Sequence, residues 1–373
     1  MNLISPLTKK RFRAFRRNRL AWWSLWSLLA VFVFCMCAEW VCPCDPRAVV
    51  DPATLERFRA PRVERRYDVR TARYSLLPDG SVVDFEGPED VRRQLLAATL
   101  PQQLDGFRQR VTQREGYVRV FLESETPPEE TCRELPPEPV GFPFRPVPGH
   151  PFGLDASGRD VYARVVHGLR IALVFGLVLA VAGLLGGLVL GALQGYFGGA
   201  TDILGQRLTE IWSSLPFLYV MIFIGSTVGR SFAVLLVSYA LFSWIGVSTY
   251  VRAEFLRLRS LPFVEAAKVQ GFPARRIIFS HILPNALTPL ITLFPFLLLG
   301  AIGALAALDF LGFGLPPMTP SCGELLAEAQ LFRSAWWLVL FPSAALFVVM
   351  LLTVLVGEGL RDAFDPRQKS RLE

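Results

Sequence analysis

The chain has 373 residues, 52% of them hydrophobic and 19% charged, with a formal charge of +7 and a mean hydropathy of +0.39. Soluble domains are about a quarter charged, so the two or three soluble domains that length alone suggests do not describe it. The excess of 39 Lys and Arg over 32 Asp and Glu is read as nucleic-acid affinity, membrane affinity or membrane topology only once the charges are located.

The first 19 residues carry Lys9, Lys10, Arg11, Arg13, Arg16, Arg17 and Arg19 with no acid, and Phe12 and Phe15 lie among them. This suits both a topogenic flank and an amphipathic helix on anionic headgroups, two compatible readings. Six stretches then lack Asp, Glu, Lys and Arg: Leu20–Ala38, Ile171–Thr201, Ile211–Gly229, Ser231–Val251, His281–Leu308 and Ser334–Gly357. A crossing helix needs about 20 apolar residues, so six such runs predict an all-α polytopic membrane protein. The first run reads as a retained helix. Its apolar core exceeds the roughly 7–15 residues of a leader, and its exit, Cys37-Ala38-Glu39-Trp40, lacks an A-x-A-like site.

Basic flanks stay in the cytoplasm, so both termini are expected inside, with inner segments at 1–19, 194–210, 252–284 and 357–373. The four lysines, Lys9, Lys10, Lys268 and Lys369, all fall there. Residues 42–165 are expected outside, where 18 Arg against 20 acids leave them near neutral. The positive excess therefore records topology, and no nucleic-acid partner is expected.

The outer segment predicts a small α+β domain over about 55–125. Tyr67–Tyr74 alternates loosely, Pro78-Asp79-Gly80 is turn chemistry before Ser81–Phe85, Pro88-Glu89-Asp90-Val91 resembles a helix start, and Tyr117–Leu122 reads as a strand. Nine prolines in 126–151 predict an extended linker. Cys35 and Cys37 read as apolar filler. Cys42, Cys44, Cys132 and Cys322 face the oxidising side, where a disulfide is allowed; Cys42-Pro43-Cys44 is not a zinc spacing, and no metal is expected.

Catalysis is not expected. Only Lys369 precedes Ser or Thr, without P-loop glycines; His150, His167 and His281 form no H-E-x-x-H; no G-x-S-x-G elbow is present. No run has an internal carboxylate, Glu39, Asp309 and Glu358 sitting at boundaries, which weakens a secondary carrier. Gly183, Gly187, Gly191, Gly195 and Gly199 recur every four residues and predict one smooth packing stripe on the second span.

Between spans four and five, Leu261–Asn285 reads as two short helices joined by a tight turn. Pro262 suits a first helical position, Glu265 favours the helix N-terminus, Ala266 and Ala267 keep one face flat, and Gly271 suits a left-handed C′ position. Pro273 opens the second helix and Pro284 marks its end or the start of span five. A short flat helix of this kind suits a groove on another protein, or simply connects spans.

Glu265-Ala266-Ala267, then Gly271, with Leu283-Pro284 twelve residues later, resembles the EAA loop of ABC importer permeases. Phe152–Val161 with His167-Gly168-Leu169-Arg170, Gly195-Tyr196-Phe197-Gly198-Gly199 with Asp202, and Leu311–Gly323 are similar to further stretches of that family. Phe152, Leu154, His167 and Cys322 depart from its pattern. Arg13–Arg19 and Arg361–Pro366 also fit. The oligopeptide/dipeptide branch, in particular the Yej type of microcin C and oligopeptide importers, is the nearest resemblance. It covers about 1–45 and 145–373 and leaves 50–140 unexplained.

The resemblance implies six transmembrane helices of the ABC type I importer permease fold, with the α+β insertion between helices 1 and 2. The expected parts are a basic helix over 1–19, span one over 20–41, the insertion with its linker over 42–151, a permease core over 152–357, and a tail over 358–373. Glu265, Ala266, Ala267, Gly271, His281, Leu283 and Pro284 would couple to an ATPase subunit. Gly153, Asp155, Gly158, Asp160, Gly312, Gly314 and Pro317 would form an outer gate or binding-protein dock, with Gly312 and Gly314 equally suited to being turn formers. The implied partners are a second homologous permease, ABC ATPase subunits, an extracytoplasmic solute-binding protein and membrane lipids. ATP and magnesium would sit on the ATPase, with no cofactor on this chain. The alternatives are a permease for a nickel, opine or sugar-like solute, or a secondary carrier or scaffold that uses the outer domain.

Overall fold

The computed structural model describes residues 6–42, 44–58, 63–68, 71–78, 81–97, 107–114, 117–124, 129–134 and 141–364. The turn residues Asp79 and Gly80 and the tail from 365 on, with Lys369, lie outside them. The chain divides into two compact units, Met1–Thr54 with Gly141–Glu373, and Leu55–Val140. The first unit opens with α1 (Pro6–Arg17), α2 (Arg19–Met36) and α3 (Ala38–Val41). The second holds β1 (Val63–Asp68), β2 (Thr71–Leu76), β3 (Val82–Glu86), α4 (Glu89–Ala97), β4 (Phe107–Arg114), β5 (Tyr117–Ser124) and β6 (Glu129–Glu134). The first unit resumes with α5 (Val161–Phe197), α6 (Gly199–Ser214), α7 (Phe217–Thr227), α8 (Phe232–Arg259), α9 (Pro262–Val269), α10 (Ala274–Arg276), α11 (Leu283–Phe310), α12 (Cys322–Leu331) and α13 (Trp336–Phe364).

Five helical runs are long and apolar enough to cross a membrane: α2, α5, α8, Ala274–Phe310 and α13. Their outward faces stay apolar, with Trp23, Leu185 and Phe347 at 67%, 55% and 63% exposure, as suits a lipid-facing surface. The third apolar run, Ile211–Gly229, is broken within its length. It is a bent pair, α6 and α7, with 70° between the helices. Pro216 explains the break: it has no N–H to donate, and Leu215 before it is extended at φ −72°, ψ 124°.

The glycine stripe sets the packing of α5 on α8. A Cβ on Gly187 would meet Val247 Cβ at 2.5 Å, one on Gly191 the Ser248 carbonyl at 2.5 Å, and one on Gly195 Phe255 Cβ at 2.5 Å. Gly183 faces Ser243 in the same way. The constant offset makes α5 and α8 parallel neighbours, so the chain between them has to return along the bundle. It does: Asp202 reaches Arg252, Trp212 meets Phe242, and Phe217 meets Tyr239. Gly199 departs from the predicted stripe. It follows the helix break at Gly198, has φ +54°, and faces open space.

Of the two readings of Pro284, the structure shows the start of span five: it lies in the first turn of α11. Ile277–Ile282 form a π turn in which the Leu283 N–H reaches the Ile278 carbonyl. The wider turn carries the chain past Pro284, which lacks a donor, into one continuous run to Phe310.

In the second unit the four-stranded sheet has the order β3-β2-β5-β4, and β1 pairs antiparallel with β6. Tyr67 and Tyr74 thus belong to different strands of different sheets. Alternation places Ala72, Tyr74, Leu76, Val120 and Leu122 on one face, where Val91 and Leu95 of α4 cover them. Part of the predicted linker is strand: β6 occupies the proline-free stretch between Pro128 and Pro136 and pairs with β1. From Gly141 on, the chain packs on the first unit, where the Leu154 N–H donates to the Phe144 carbonyl at 2.9 Å.

Candidate functional site: a docking helix and a buried ion cluster

At one end of the helical unit, α9 lies across the ends of α8 and α11. Pro262 occupies its first position and Glu265 its first turn. Gly271, at φ +73°, ends it in a Schellman arrangement: the Gly271 N–H donates to the Lys268 carbonyl at 2.9 Å and the Phe272 N–H to the Ala267 carbonyl at 3.2 Å. Val264 and Ala267 are buried against Phe255, Leu258, Ile277 and Ile282. The two alanines therefore do not share a flat face: Ala267 anchors the helix inward and Ala266 faces out with Phe263, Glu265 and Val269. Val269 is 89% exposed, and among the described residues Glu265 has no ion-pair partner.

The rest of the predicted coupling set supports this helix. Phe272 lies between the Arg276 guanidinium, 4.1 Å from its ring centre, and the His281 ring, stacked at 5.9 Å. The His281 carbonyl accepts from the Asn285 amide at 2.8 Å. Leu283 packs on the α9 cluster, while Pro284 is exposed. Two arginines brace the same end. Arg252 grips Asp202 through two bonds of 2.5 and 2.8 Å. Arg259 donates to the Gly195 and Tyr196 carbonyls at 3.2 Å, capping the α5 C-terminus with a cation.

The opposite end carries α12 and a cluster that the charge-free runs left unread. Arg164 and Asp155 are fully buried, and Arg159 is nearly so. Asp155 accepts from the Ser157 and Arg159 N–H groups at 2.8 Å, from Arg159 Nε at 2.8 Å, and from Arg164. Arg164 also donates to Glu324 at 2.5 Å and Glu328 at 3.0 Å, and Arg159 reaches Glu328 at 3.3 Å. Two guanidiniums thus tie the 155–160 turn and α5 to α12. Three carboxylates share them, and at Glu328 burial, with the neighbouring Asp155 charge, raises the pKa against the pull of Arg164. The legible signal was Arg164 early in the second span facing Glu324 and Glu328, four residues apart on one helix face.

The predicted outer residues are placed as follows. Asp160 caps α5 through the Ala163 N–H at 3.2 Å and meets His150 Nδ1 at 2.6 Å. Asp155 and Asp160 are buried. Gly153, at φ +76°, lies under Trp337, whose Nε1–H donates to the Leu154 carbonyl at 3.2 Å. Gly158, at φ +77°, has no room for a side chain beside the Phe142 ring. Gly312 is an open left-handed turn residue, Gly314 packs on Asp309, and Pro317 is exposed. Asp309, a boundary residue by sequence, is a buried clasp that accepts from the Leu315 N–H at 2.6 Å and from Ser321. Cys322 fills a buried site beside Gly168, and burial pushes its thiol up to about 12. Cys35, Cys37, Cys42, Cys44 and Cys322 are free thiols; the Cys132 side chain lies outside the described residues. Among the described residues no cluster suits a metal ion.

Glu328 gives a pH prediction. Its folded pKa lies above its unfolded value of about 4.3, so its contribution favours folding below that value and is lost as pH rises through the elevated pKa. Melting temperature in detergent is expected to fall across that window, and Glu328→Gln is expected to flatten that part of the profile.

Apolar helices pack around a small-residue seam, with a short, outward-facing helix at one end, as suits a component of a membrane transport system. The chain belongs to the family described as binding-protein-dependent transport system inner membrane component, which matches residues 171–370. Residues 6–61 match the N-terminal TM domain of oligopeptide transport permease C. The chain is 36% identical over 370 residues to the inner membrane ABC transporter permease protein YejE of Escherichia coli, covering 99% of each. It is 35% identical to the peptidoglycan transport system permease protein YejE of Agrobacterium fabrum, covering 99% of this chain and 95% of that one. The oligopeptide transport system permease protein OppC of Haemophilus influenzae is 37% identical over 221 residues, 59% of this chain and 71% of its own. Members of this family are non-catalytic translocation subunits, and the ATPase is a separate subunit. The end-to-end YejE matches include the Leu55–Val140 unit.

Proposed function

We propose that the chain is the membrane permease of an ATP-driven importer of oligopeptides or peptide-like compounds, and that α9 transmits motion from the ATPase. The observation that carries this is α9 itself, a short helix anchored by Val264 and Ala267 that presents Phe263, Ala266, Val269 and an unpaired Glu265 outward. The name of the OppC relative and the match of residues 6–61 support the peptide class, and the name of the A. fabrum relative supports keeping peptidoglycan pieces within it. Parallel α5 and α8 with a returning α6–α7 pair support six crossings. The basic α1 supports N- and C-termini on the cytoplasmic side of an inner membrane, with α9 on that side. The α12 end then faces outward, where a solute-binding protein delivers ligand, and the exposed apolar flanks are shared between lipid and a second, homologous permease.

In the assembled importer, Glu265→Lys reverses an unpaired charge on the outward face of α9. Uptake of a labelled tripeptide is expected to fall at least about tenfold, equivalent to ~1.4 kcal/mol of docking energy, while the ATPase continues to hydrolyse ATP and membrane abundance is unchanged. Uptake at the parent rate would refute the role of α9.

A further inference from the structure

The Leu55–Val140 unit carries a concave surface that transport through the helical unit does not use. One face of its four-stranded sheet is covered by α4; among the described residues nothing covers the other. That face lines a cleft of about 780 Å³. Register places Arg73 of β2 and Arg110 of β4 directly opposite Phe121 of β5, one on each side. In the next row Arg108 stands opposite Glu123. Arg73 is paired with Glu86, whereas Arg108 and Arg110 are exposed and have no ion pair among the described residues. The unit as a whole is slightly acidic, with 14 Arg, 16 Asp and Glu and no Lys. The cleft carries Arg73, Arg108 and Arg110 against Glu86 and Glu123, a positive balance within an acidic unit.

Three features identify the occupant. Two unpaired guanidiniums are planar forks suited to carboxylates. An exposed ring, 40% accessible, offers an apolar platform between charges. The size favours a small ligand: pockets for such molecules run about 300–1,000 Å³. The exposed face of four short strands offers on the order of 300 Å², well under the ~800 Å² per partner of a stable protein interface. We infer that the uncovered sheet face of the insertion binds short, carboxylate-rich peptides, with Arg108 and Arg110 holding carboxylates and Phe121 the intervening apolar part. The inference rests on the importer reading for its biological sense, not for its chemistry.

The test uses the full-length chain in detergent and isothermal titration with tri-glutamate, tri-alanine, tri-lysine and inorganic phosphate as probes. Tri-glutamate is expected to bind at least tenfold more tightly than tri-alanine or tri-lysine. R108E/R110E is expected to weaken it at least tenfold with an unchanged melting temperature, and R108K/R110K to give an intermediate loss. Equal affinity for tri-lysine, or a tri-glutamate affinity within twofold of the parent in R108E/R110E, would overturn the inference. So would phosphate displacing tri-glutamate at equal concentration, which assigns the face to phosphate groups, or a variant that loses only solute-binding-protein docking. Tripeptide uptake by the parent importer is measured alongside. Absent uptake with intact tri-glutamate binding refutes the importer reading alone, and normal uptake without that binding refutes this inference alone.

Discussion

Arg164→Ala is expected to prevent stable accumulation of the folded chain. Arg164 is fully buried and holds Asp155, Glu324 and Glu328 at once. Removing the cation leaves three carboxylates around a space served by Arg159 alone. Breaking a buried pair costs about 3–5 kcal/mol, against net stabilities of about 5–15 kcal/mol. The effect concentrates where α12 meets α5, because the cluster's remaining bonds lie within the 155–160 turn or run from Arg159 to Glu328. Arg164→Lys keeps the charge but cannot reach three acids through one ammonium, and is expected to lose roughly half as much. Replacing Arg164, Glu324 and Glu328 together by Met, Leu and Leu restores neutrality, and such apolar replacements are often neutral or stabilising. Thermal melts of the detergent-purified chain check the order: parent near the triple variant, then Lys, then Ala.

Gly271→Asp has the opposite character, with a large loss of function and little loss of fold. Gly271 sits at φ +73° with no atom within 4 Å of where a Cβ would stand, so packing is indifferent to the change and only backbone strain and charge act. A non-glycine residue in the left-handed region costs about 1–2 kcal/mol, and a carboxylate at a helix C-terminus opposes the dipole by a further ~0.3–1 kcal/mol. The Schellman bonds to the Lys268 and Ala267 carbonyls are the ones at risk, and with them the angle at which α9 meets its partner. Uptake is expected to fall about tenfold or more at unchanged membrane abundance. Gly271→Asn, which tolerates the same backbone, is expected to keep most of it. Quantified uptake per folded transporter separates the two.

How much the residues disclosed follows from which forces are local. The apolar runs, the α9 caps at Pro262 and Gly271, and the close approach at Gly183, Gly187, Gly191 and Gly195 each depend on a few consecutive residues, and each is legible. The 70° break at Pro216 was legible in principle, but a count of charge-free residues ignores a missing N–H. The π turn before Pro284 was not, since it is set by where α10 and α11 must both pack. The buried cluster joins residues about 160 positions apart in sequence, and Asp155, expected near an outer surface, folds inward to serve it while Asp160 folds inward to cap α5 and meet His150. In the same way Ala266 and Ala267 are alike in sequence and differ only in which side of α9 meets Phe255 and Ile277.

Contact between α9 and the ATPase can be probed directly. A single cysteine at Val269, which is 89% exposed, tests it in the assembled importer with a short bis-maleimide. Leu331→Cys, 79% exposed on α12, and the parent chain, whose Cys37 and Cys44 are also exposed, serve as controls. Val269→Cys is expected to link to the ATPase subunit at several times the yield of either control, and ATP binding to change that yield. Linkage from Leu331→Cys instead, or equal yields from all three chains, would contradict it.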